Sequence, residues 1–379
     1  MPAEPNRRVS VAVFFGGQSS EHEISCLTTA GVLGALDTSR FEAHGVGITR
    51  DGRWVRYSAA EMAGLRAAAG GGMPSVDGER PPAVLIRDGR RVLLATRQGD
   101  RLTDMAEIDV ALPLLHGPFG EDGTIQGYFE MLGLPYAGAG VAASALGMDK
   151  PLAKLVFAAA GLRVEPYIVL DAQTSDISPE AELRAVAAAD LRYPLYVKPA
   201  RSGSSVGISR VEAPDALAAA ISQARRFDRK VIVEQGVVGA REIECAVLGP
   251  RGGKGETRVS RPGEIVMRTK AGFYDYEAKY LAADEADLVV PADLPPAVAA
   301  AVQKDARRAF EAIGATGLSR VDFFILPDGA VIISEINTMP GFTEISMFPK
   351  MWRAEGMTYQ ELITDLLEQA LAAPAPGVG

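Results

Sequence analysis

The sequence has very few cysteines and no long hydrophobic run. Only Cys26 and Cys245 occur among 379 residues, which excludes a disulfide-rich scaffold and favours a reducing compartment. No stretch approaches the roughly 18 uncharged apolar residues that a membrane-spanning helix needs, and the first ten residues lack the apolar core of a signal peptide. We therefore expect a cytoplasmic protein that makes no use of a membrane.

An excess of basic residues is also missing. The 39 Lys and Arg residues are outnumbered by 48 Asp and Glu residues, so the net charge is −9 and would repel a nucleic-acid backbone. Nucleic acid is therefore not an expected partner. With 47% hydrophobic residues the chain can bury large cores, and its length predicts two or three domains.

The Walker phosphate loop is absent as well. No GxxxxGK[ST] segment occurs, and Lys254 in GGKGET lacks the leading glycine and the hydroxyl residue. The segment GAGVAA at 138–143 matches a dinucleotide fingerprint only loosely, because the short stub LPYA precedes it. Any nucleotide must therefore be held in another way.

Residues 1–138 predict an α/β domain. The buried strand VSVAVFFGG at 9–17, the helical segment after it and the strand FEAHGVGI form a βαβ unit. This order predicts a parallel sheet covered on both faces, with its ligand near residues 16–23. Residues 50–105 predict short polar-edged strands with no assigned role, and the strand IDVALPLLHG with the helix TIQGYFEMLG closes the domain.

Two further domains are predicted, at 139–234 and 235–379. The first combines a helix pair with the strands PLYVKP, VGISRV and KVIVEQ around a Gly/Ser-rich loop, a compact α+β pattern. The second contains the strand EIECAVLG, a long helix, a hairpin at 319–337 and a terminal helix. The expected fold class is a multidomain α/β protein.

The Gly/Ser-rich loop has the composition of a phosphate site. In KPARSGSSVG at 198–207, the glycines and hydroxyls would let backbone N–H groups form an anion-binding nest beside Lys198. The alternative is an ordinary polar hairpin loop, and Lys150 in GMDK could be a surface lysine. If both lysines entered one cleft, phosphate binding would be favoured.

The hairpin gives the most specific local prediction. If Asp328 and Gly329 form a two-residue turn, Asp322 faces Glu335. Arg320 and Asn337 then face each other on the same side, while the opposite, mostly apolar side carries Phe323, Ile325, Ile332 and Ser334.

Opposed carboxylates repel each other unless a cation lies between them. Asp322, Glu335 and the side-chain oxygen of Asn337 are hard oxygen ligands that suit Mg²⁺, with water and nucleotide phosphates completing its shell. The alternative is a polar strand that faces solvent. Elsewhere, the three histidines have no metal-ligand spacing, and the tyrosines of GFYDYEAKY at 272–280 either cover an apolar face or belong to a mobile flap.

Together the motifs resemble the ATP-grasp superfamily and, within it, the D-alanine–D-alanine ligase family. The resemblance rests on the segments FFGGQSSEHEIS, LLHGPFGEDGTIQG, GMDK, VKPARSGSSVG, YDYEAKY, SRVDFF and EINTMPGFTEIS. It implies an ATP-grasp fold with a Rossmann-like N-terminal domain, and an enzyme that uses ATP and two Mg²⁺ ions, or Mn²⁺, to make D-alanyl-D-alanine for peptidoglycan. It also implies a homodimer, and a reaction through D-alanyl phosphate and a tetrahedral intermediate.

The resemblance also implies a role for each matching residue. ATP would be bound by Lys150 and Lys198 at its phosphates, by the loop residues Gly203, Ser204 and Ser205, by Glu234 and Gln235 at adenine, and by Glu242 at ribose. The metal ligands would be Asp322, Glu335 and Asn337. The family commonly has Lys where Gln235 stands.

The D-alanine contacts follow in the same way. Glu21 would bind the ammonium of the first D-alanine and form a closing chain with Ser204 and Tyr280. Arg320 and the backbone N–H of Gly341 would stabilise the oxyanion. The remaining substrate contacts would come from His116, Lys279, Ser346 and Met347, the last of which is often Leu in the family.

Three other interpretations stay open at this point. A D-alanine–D-lactate ligase would differ only in its second-substrate contacts, although Lys279 and Tyr280 favour the dipeptide. Another ATP-grasp carboxylate–amine ligase is the broader alternative. A non-enzymatic nucleotide-binding protein would be expected to lack a metal ligand or Arg320.

Overall fold

The computed structural model describes residues 7–67, 72–171, 178–268 and 286–373. In these ranges the chain forms a four-stranded N-terminal sheet, a three-stranded meander, a four-stranded middle sheet and a six-stranded C-terminal sheet. None of the described helices is long and apolar enough to cross a membrane.

The N-terminal sheet begins with the predicted βαβ unit. Its elements are β1 (Val9–Gly16), α1 (His22–Ala35) and β2 (Phe41–Ile48), and the two strands pair in parallel. Val13 and Phe15 pack into one apolar cluster while Phe14 packs into another, so β1 is covered on both faces. The prediction of a buried parallel strand pair is confirmed.

The segment after β2 is more regular than the sequence predicts. It forms β3 (Trp54–Tyr57), α2 (Ala59–Ala63), β4 (Ala83–Asp88), β5 (Arg91–Gln98) and β6 (Arg101–Ile108). The sequence predicts strands in RDGRWVRYS at 50–58 and RRVLLATRQGD at 90–100, which β3 and β5 confirm, but it does not predict β4, β6 or α2. The strands β4, β5 and β6 form the meander, and β3 extends the N-terminal sheet next to β2.

The N-terminal sheet is completed by β7 (Val110–Pro113), which pairs in parallel with β1, and α3 (Thr124–Leu132) follows it. The loops after β1 and β7 therefore leave the same edge of the sheet. At Gly16 φ is +84°, and a Cβ there would lie 2.3 Å from the Ile48 carbonyl oxygen, so the turn into α1 requires glycine. This turn directs Glu21 towards the loop after β7.

The middle sheet follows two helices that belong to a different core. The elements in chain order are α4 (Val141–Met148), α5 (Lys150–Ala159), β8 (Tyr167–Asp171), α6 (Pro179–Ala188), β9 (Leu195–Pro199), β10 (Ser209–Val211), α7 (Leu217–Arg225) and β11 (Lys230–Gln235). The strands are antiparallel in the order β10-β9-β11-β8, and side chains of α6 and α7 cover one face.

The C-terminal sheet has strand order β15-β14-β12-β16-β17, with β13 paired to β12. Its elements are β12 (Arg241–Leu248), β13 (Arg258–Val259), β14 (Gly263–Met267), β15 (Ala286–Val289), α8 (Pro296–Ala312), β16 (Leu318–Ile325), β17 (Val331–Asn337), α9 (Met347–Ala354) and α10 (Tyr359–Ala372). One face packs on α5 and α8, and the other on α9 and α10. The boundaries of the three predicted domains stay a prediction.

The hairpin of β16 and β17 has the predicted register at Asp322 but not at its tip. Asp322 faces Glu335 and Arg320 faces Asn337, as predicted. The predicted two-residue turn is wrong, because Leu326 and Ala330 enclose a three-residue loop that ends at Gly329, where φ is +83°.

A β-bulge between the tip and Asp322 explains why the register is still right. Phe323 pairs with Ile333 while Asp322 pairs with Glu335, so Ser334 is the extra residue on β17. The predicted apolar face is therefore partly wrong. Ile333 replaces Ser334 opposite Phe323, and Ile332 lies opposite Phe324 instead of Ile325.

Candidate active site

Two adjoining cavities lie between the N-terminal sheet, the middle sheet and the hairpin. We call them the Glu21 cavity, of about 110 Å³, and the Lys198 cavity, of about 200 Å³. The residues that line both are Lys150, Ser205, Ile208, Arg320 and Glu335. A ligand in either cavity would therefore contact the same lysine and arginine.

The Glu21 cavity contains buried polar groups from three parts of the chain. Glu21 is 6% exposed and lies directly before α1. A Cβ added at Gly203 would lie 3.7 Å from Glu21 Oε2, so the Gly/Ser loop reaches this carboxylate. Ser204 and Gly341 line the same cavity, which brings these predicted residues together.

His116 lines the Glu21 cavity from the loop after β7. Its Nδ1 lies 3.2 Å from the Met339 carbonyl oxygen, which fixes the ring. Its Nε2 is buried and has no hydrogen-bond partner in the described part of the chain. A buried ring nitrogen without a partner is costly, and a bound polar ligand would remove that cost.

Glu121 is a second acidic residue of this cavity, and the sequence analysis missed it. It lines the cavity together with Glu21, and its Oε2 accepts a hydrogen bond of 2.6 Å from the Gly117 N–H. Burial raises the pKa of Glu121 to about 8, and the nearby charge of Glu21 adds to the shift. Its position in the segment GPFGEDGT was the available signal.

The two predicted phosphate lysines enter the Lys198 cavity together. Lys150 begins α5, and its Nζ donates a hydrogen bond of 2.6 Å to the Ser202 carbonyl oxygen in the Gly/Ser loop. Burial lowers the pKa of Lys150, while the charge of Glu335 opposes that shift. Both lysines line one cleft, so the surface-lysine interpretation of Lys150 is wrong.

The Gly/Ser loop itself has an unusual backbone. Ser204 and Ser205 have φ of +50° and +58°, a left-handed conformation that side-chain-bearing residues rarely adopt. Strained backbone of this kind persists where the surrounding structure holds it and is concentrated at ligand sites.

At the far end of the Lys198 cavity, two predicted adenine residues are engaged with the protein. The carboxylate of Glu234 lies 2.6 Å from Lys198 Nζ and 3.1 Å from Lys154 Nζ. Gln235 Oε1 accepts a hydrogen bond of 3.0 Å from the Arg192 N–H. An adenine contact at these positions would therefore fall to backbone groups. Glu242 lines the same cavity.

The hairpin presents its predicted metal ligands at the junction of the cavities. Asn337 Nδ2 donates to Asp322 Oδ2 at 3.0 Å, and Asp322 accepts two hydrogen bonds of 2.7 Å from Arg320. Glu244 on β12, which the sequence analysis missed, lies opposite Asp322 and 3.2 Å from Arg320 Nε. Three carboxylates on adjacent strands thus surround one arginine.

This donor set fits a divalent cation that is shared with another ligand. Glu244, Asp322 and Glu335 carry three negative charges against the single charge of Arg320, and all are hard oxygen donors. Within the described ranges, however, no group of three His, Cys, Asp or Glu residues could hold a metal ion alone. A cation here would need ligands from water or from a bound phosphate.

The remaining predicted substrate residues lie away from the cavities or outside the described residues. Ser346 precedes α9, and its Oγ lies 2.7 Å from Thr343 Oγ1. The side chain of Met347 is 5% exposed and belongs to the core, so only its backbone N–H can meet a ligand. Lys279 and Tyr280 lie outside the described residues.

Two family models match this chain and cover most of its length. The D-ala D-ala ligase N-terminus matches residues 10–139, and the D-ala D-ala ligase C-terminus matches residues 156–368. The chain belongs to the D-alanine–D-alanine ligase family. It is 49% identical over 363 residues to a D-alanine–D-alanine ligase of Arthrobacter sp. strain FB24, covering 95% of this chain and 94% of the relative.

Further comparisons agree with this assignment. A D-alanine–D-alanine ligase of Kocuria rhizophila is 49% identical over 366 residues, covering 96% of this chain and 94% of the relative. The solved VanG D-Ala:D-Ser ligase from Enterococcus faecalis superposes with a TM-score of 0.80 at 33% identity, over 96% of this chain and 100% of that chain.

A D-alanine–D-alanine ligase from Coxiella burnetii gives a TM-score of 0.79 at 32% identity, over 96% of this chain and 94% of that chain. Members of the family share the ATP-grasp fold, so the predicted fold class, a multidomain α/β ATP-grasp protein, is confirmed.

Proposed function

We propose that this family member joins two D-alanines to D-alanyl-D-alanine while ATP is split to ADP and phosphate. The observation that carries the proposal is the meeting of the two cavities at Lys150, Arg320 and Glu335. One cavity has the acidic group that an ammonium substrate needs, and the other has the lysines that phosphates need. The product would serve peptidoglycan synthesis in the cytoplasm.

In this proposal ATP occupies the Lys198 cavity, with its phosphates at Lys150, Lys198 and the loop of Gly203, Ser204 and Ser205. Adenine and ribose lie towards Gln235 and Glu242. Asp322, Glu335 and Asn337 would hold Mg²⁺, which when bound would supply positive charge against the phosphates. The acidic hairpin supports this placement, because its excess negative charge needs a cation.

The first D-alanine lies in the Glu21 cavity, with its ammonium on Glu21 and beside His116. Its carboxylate oxygen attacks the γ-phosphorus, and the bond from that phosphorus to ADP breaks, which gives D-alanyl phosphate. Lys150 and Arg320, which line both cavities, offset the negative charge of the carboxylate and the phosphates as they approach each other.

The amine of the second D-alanine then attacks the acyl carbon. Arg320 and the Gly341 N–H stabilise the oxyanion of the tetrahedral intermediate, after which phosphate leaves and the nitrogen loses a proton. The carboxylate of this D-alanine lies at the N-terminus of α9, near Ser346 and the backbone of Met347. The resemblance to the family assigns Tyr280 and Lys279 to the exclusion of water from the acyl phosphate, and both lie outside the described residues.

One assay tests the proposal and its alternatives. Purified protein is given ATP, Mg²⁺ and D-alanine, and phosphate release and the mass of the product are measured. L-alanine, D-lactate and D-serine are then offered singly and together with D-alanine. Dipeptide from D-alanine alone supports the proposal. If phosphate release requires D-lactate or D-serine, or if no D-alanine product forms, the proposed second substrate is wrong.

A homodimer is also part of the proposal, since the resemblance to the family implies it. Sedimentation equilibrium at several protein concentrations tests it. A mass of one chain at every concentration would reject it.

A further inference from the structure

Lys154 is a fully buried lysine that lines neither cavity. It is 1% exposed and lies one turn along α5 from Lys150, on the same helix. Burying a lysine is costly unless its charge is matched by close carboxylates. The carboxylates that pair with Lys154 therefore explain how its charge is tolerated at a buried position.

The partners form a linear chain of four alternating charges. Lys154 Nζ lies 2.5 Å from Glu165 Oε2 and 3.1 Å from Glu234 Oε1. The other oxygen of Glu234 lies 2.6 Å from Lys198 Nζ. Glu165 and Glu234 are 2% and 3% exposed, so little water screens these contacts. The chain ends at a lysine that enters the Lys198 cavity.

This row of four charged side chains joins two separate apolar cores. Ala153 and Phe157, which flank Lys154 on α5, pack in the core of the C-terminal sheet. Val197 and Val233, which flank Lys198 and Glu234, pack in the core of the middle sheet. Lys154 therefore connects the helix that carries Lys150 to the sheet that carries Lys198.

The charges also act on each other in the expected direction. Burial alone would raise the pKa of Glu234, but Lys154 and Lys198 outweigh it and lower the pKa to about 2. Glu234 is thus a fixed anion between two lysines, and without Lys154 one of its oxygens would lose its partner.

We propose that Lys154 is a positioning residue of the nucleotide site. Its ion pair with Glu234 fixes that carboxylate, which in turn fixes the position of Lys198 relative to Lys150. Glu165 forms the second ion pair of Lys154 and so keeps Lys154 in place. This inference rests on the proposed function in one respect, namely that ATP phosphates bind at Lys150 and Lys198. It assigns a role to Lys154 and Glu165, neither of which matched a motif of the sequence analysis.

The test compares ATP binding with stability in three variants. Calorimetric Kd for ATP with Mg²⁺, KM for ATP and for D-alanine, and melting temperature are measured for Lys154→Met, for Lys154→Met/Glu165→Gln and for a control, Lys230→Met. Lys230 forms a similar ion pair of 2.6 Å with Asp149, and it joins the same helix and sheet without touching Glu234. It therefore resembles Lys154 in joining α5 to the middle sheet through a lysine–carboxylate pair, but it is more exposed and has no link to Lys198.

We expect Lys154→Met to raise the Kd and KM for ATP by about tenfold to a hundredfold, the effect of losing one charge-assisted hydrogen bond, while the KM for D-alanine stays within about twofold. The double variant leaves no buried carboxylate at 165 unpaired, so its melting temperature should recover. Its ATP affinity should stay low, because Glu234 still lacks its ion pair with Lys154. Lys230→Met should lose stability and keep ATP affinity.

Two results would overturn the inference: unchanged ATP affinity in folded Lys154→Met, or parental ATP affinity in the double variant, which would leave Lys154 only a charge-balancing role. If Lys154→Met does not fold, the double variant decides. If the parent binds ATP but ligates no D-alanine, the proposed function fails while the Kd series still tests Lys154. A parent that binds no ATP rejects both.

Discussion

Arg320 and Asp322 lie two residues apart on β16 and bind each other through two hydrogen bonds of 2.7 Å, from Nε to Oδ1 and from Nη2 to Oδ2. A separation of two places both side chains on one face of a strand. The proposed oxyanion donor and a proposed metal ligand are therefore in direct contact. A substitution at either residue should therefore alter the position of the other side chain.

Arg320→Lys should separate charge from geometry. Lysine keeps the positive charge beside Asp322 and Glu244 but cannot form the two-pronged contact. We expect kcat to fall roughly 100-fold to 1000-fold, as when one oxyanion donor is removed, a change of about 2.7–4 kcal/mol. Steady-state kinetics with saturating ATP measures it, and a kcat within threefold of the parent would contradict the assignment.

A matched variant, Arg320→Met, shows whether the charge also supports the fold. It leaves Asp322 and Glu244 without their shared cation, so the free energy of unfolding should fall by about 3–5 kcal/mol. Arg320→Lys should lose clearly less. Urea unfolding of the two variants and the parent gives the comparison.

Glu335→Gln tests the metal site through stability. It removes one of two opposed carboxylates, so the metal-free protein should melt no lower than the parent. In the parent, Mg²⁺ with ADP should add about 2.7 kcal/mol at a hundredfold excess over Kd, and in the variant most of this gain should vanish. Scanning calorimetry with Mg²⁺ added or chelated measures both effects.

The control for that experiment is Asp328→Asn, at the exposed tip of the same hairpin, which should keep the full response to Mg²⁺. A clear loss of metal-free stability in Glu335→Gln, together with an undiminished Mg²⁺ response, would make Glu335 a structural residue.

Glu21→Gln should weaken the first D-alanine selectively. A neutral amide cannot pair with an ammonium group, and a charged hydrogen bond is worth about 1.5–3 kcal/mol. We expect the KM for the first D-alanine to rise about tenfold to a hundredfold with ATP affinity kept. Glu23→Gln is the control, because Glu23 pairs with Arg50 outside both cavities. Equal effects of the two variants would refute the role of Glu21.

Glu121 predicts a pH dependence of stability. Its pKa is about 8 in the folded protein and ordinarily 4.5, so the folded chain keeps a proton that the unfolded chain releases between these values. Stability must therefore fall as the pH rises from 4.5 to 8. Since one pKa unit corresponds to about 1.4 kcal/mol, the parent should lose at least about 1 kcal/mol more than Glu121→Gln between pH 5 and 8.

Urea unfolding at pH 5, 6, 7 and 8 checks this difference. Curves for parent and variant that run parallel across the range would show that Glu121 holds no extra proton in the folded protein.

The βαβ unit and the acidic hairpin could be predicted because their signals are local. A continuous apolar run and a glycine at position 16 determine β1 and its turn, and the opposed pair Asp322 and Glu335 follows from strand pairing. The Gly/Ser loop was predicted as a phosphate site from composition alone, and its role stays a prediction, although its Ser205 lines both cavities.

What the sequence could not reveal are contacts between distant segments. Lys154 and Glu234 are 80 positions apart, and their contact depends on how α5 packs beside the middle sheet. Glu244 was missed for the same reason, since its contact with Arg320 joins two different strands. Glu121 had a local signal in the segment GPFGEDGT, but its place beside Glu21 depends on how β1 and β7 pair. Only β5 of the β4–β6 meander was predicted, because β6 is largely exposed and polar and β4 ends in exposed Arg87 and Asp88.

The bulge at Ser334 makes the alignment of Asp322 with Glu335 depend on the turn at the far end of the hairpin. The three-residue tip shifts β17 by one position, and Ser334 shifts it back before Glu335. If the turn closed on Asp328 and Gly329 alone while the bulge stayed, β17 would slide by one position and Ile336 would lie opposite Asp322. The position of the turn and the bulge should therefore change together, and a substitution that moves the turn while the bulge stays should separate the acidic pair without changing either acid.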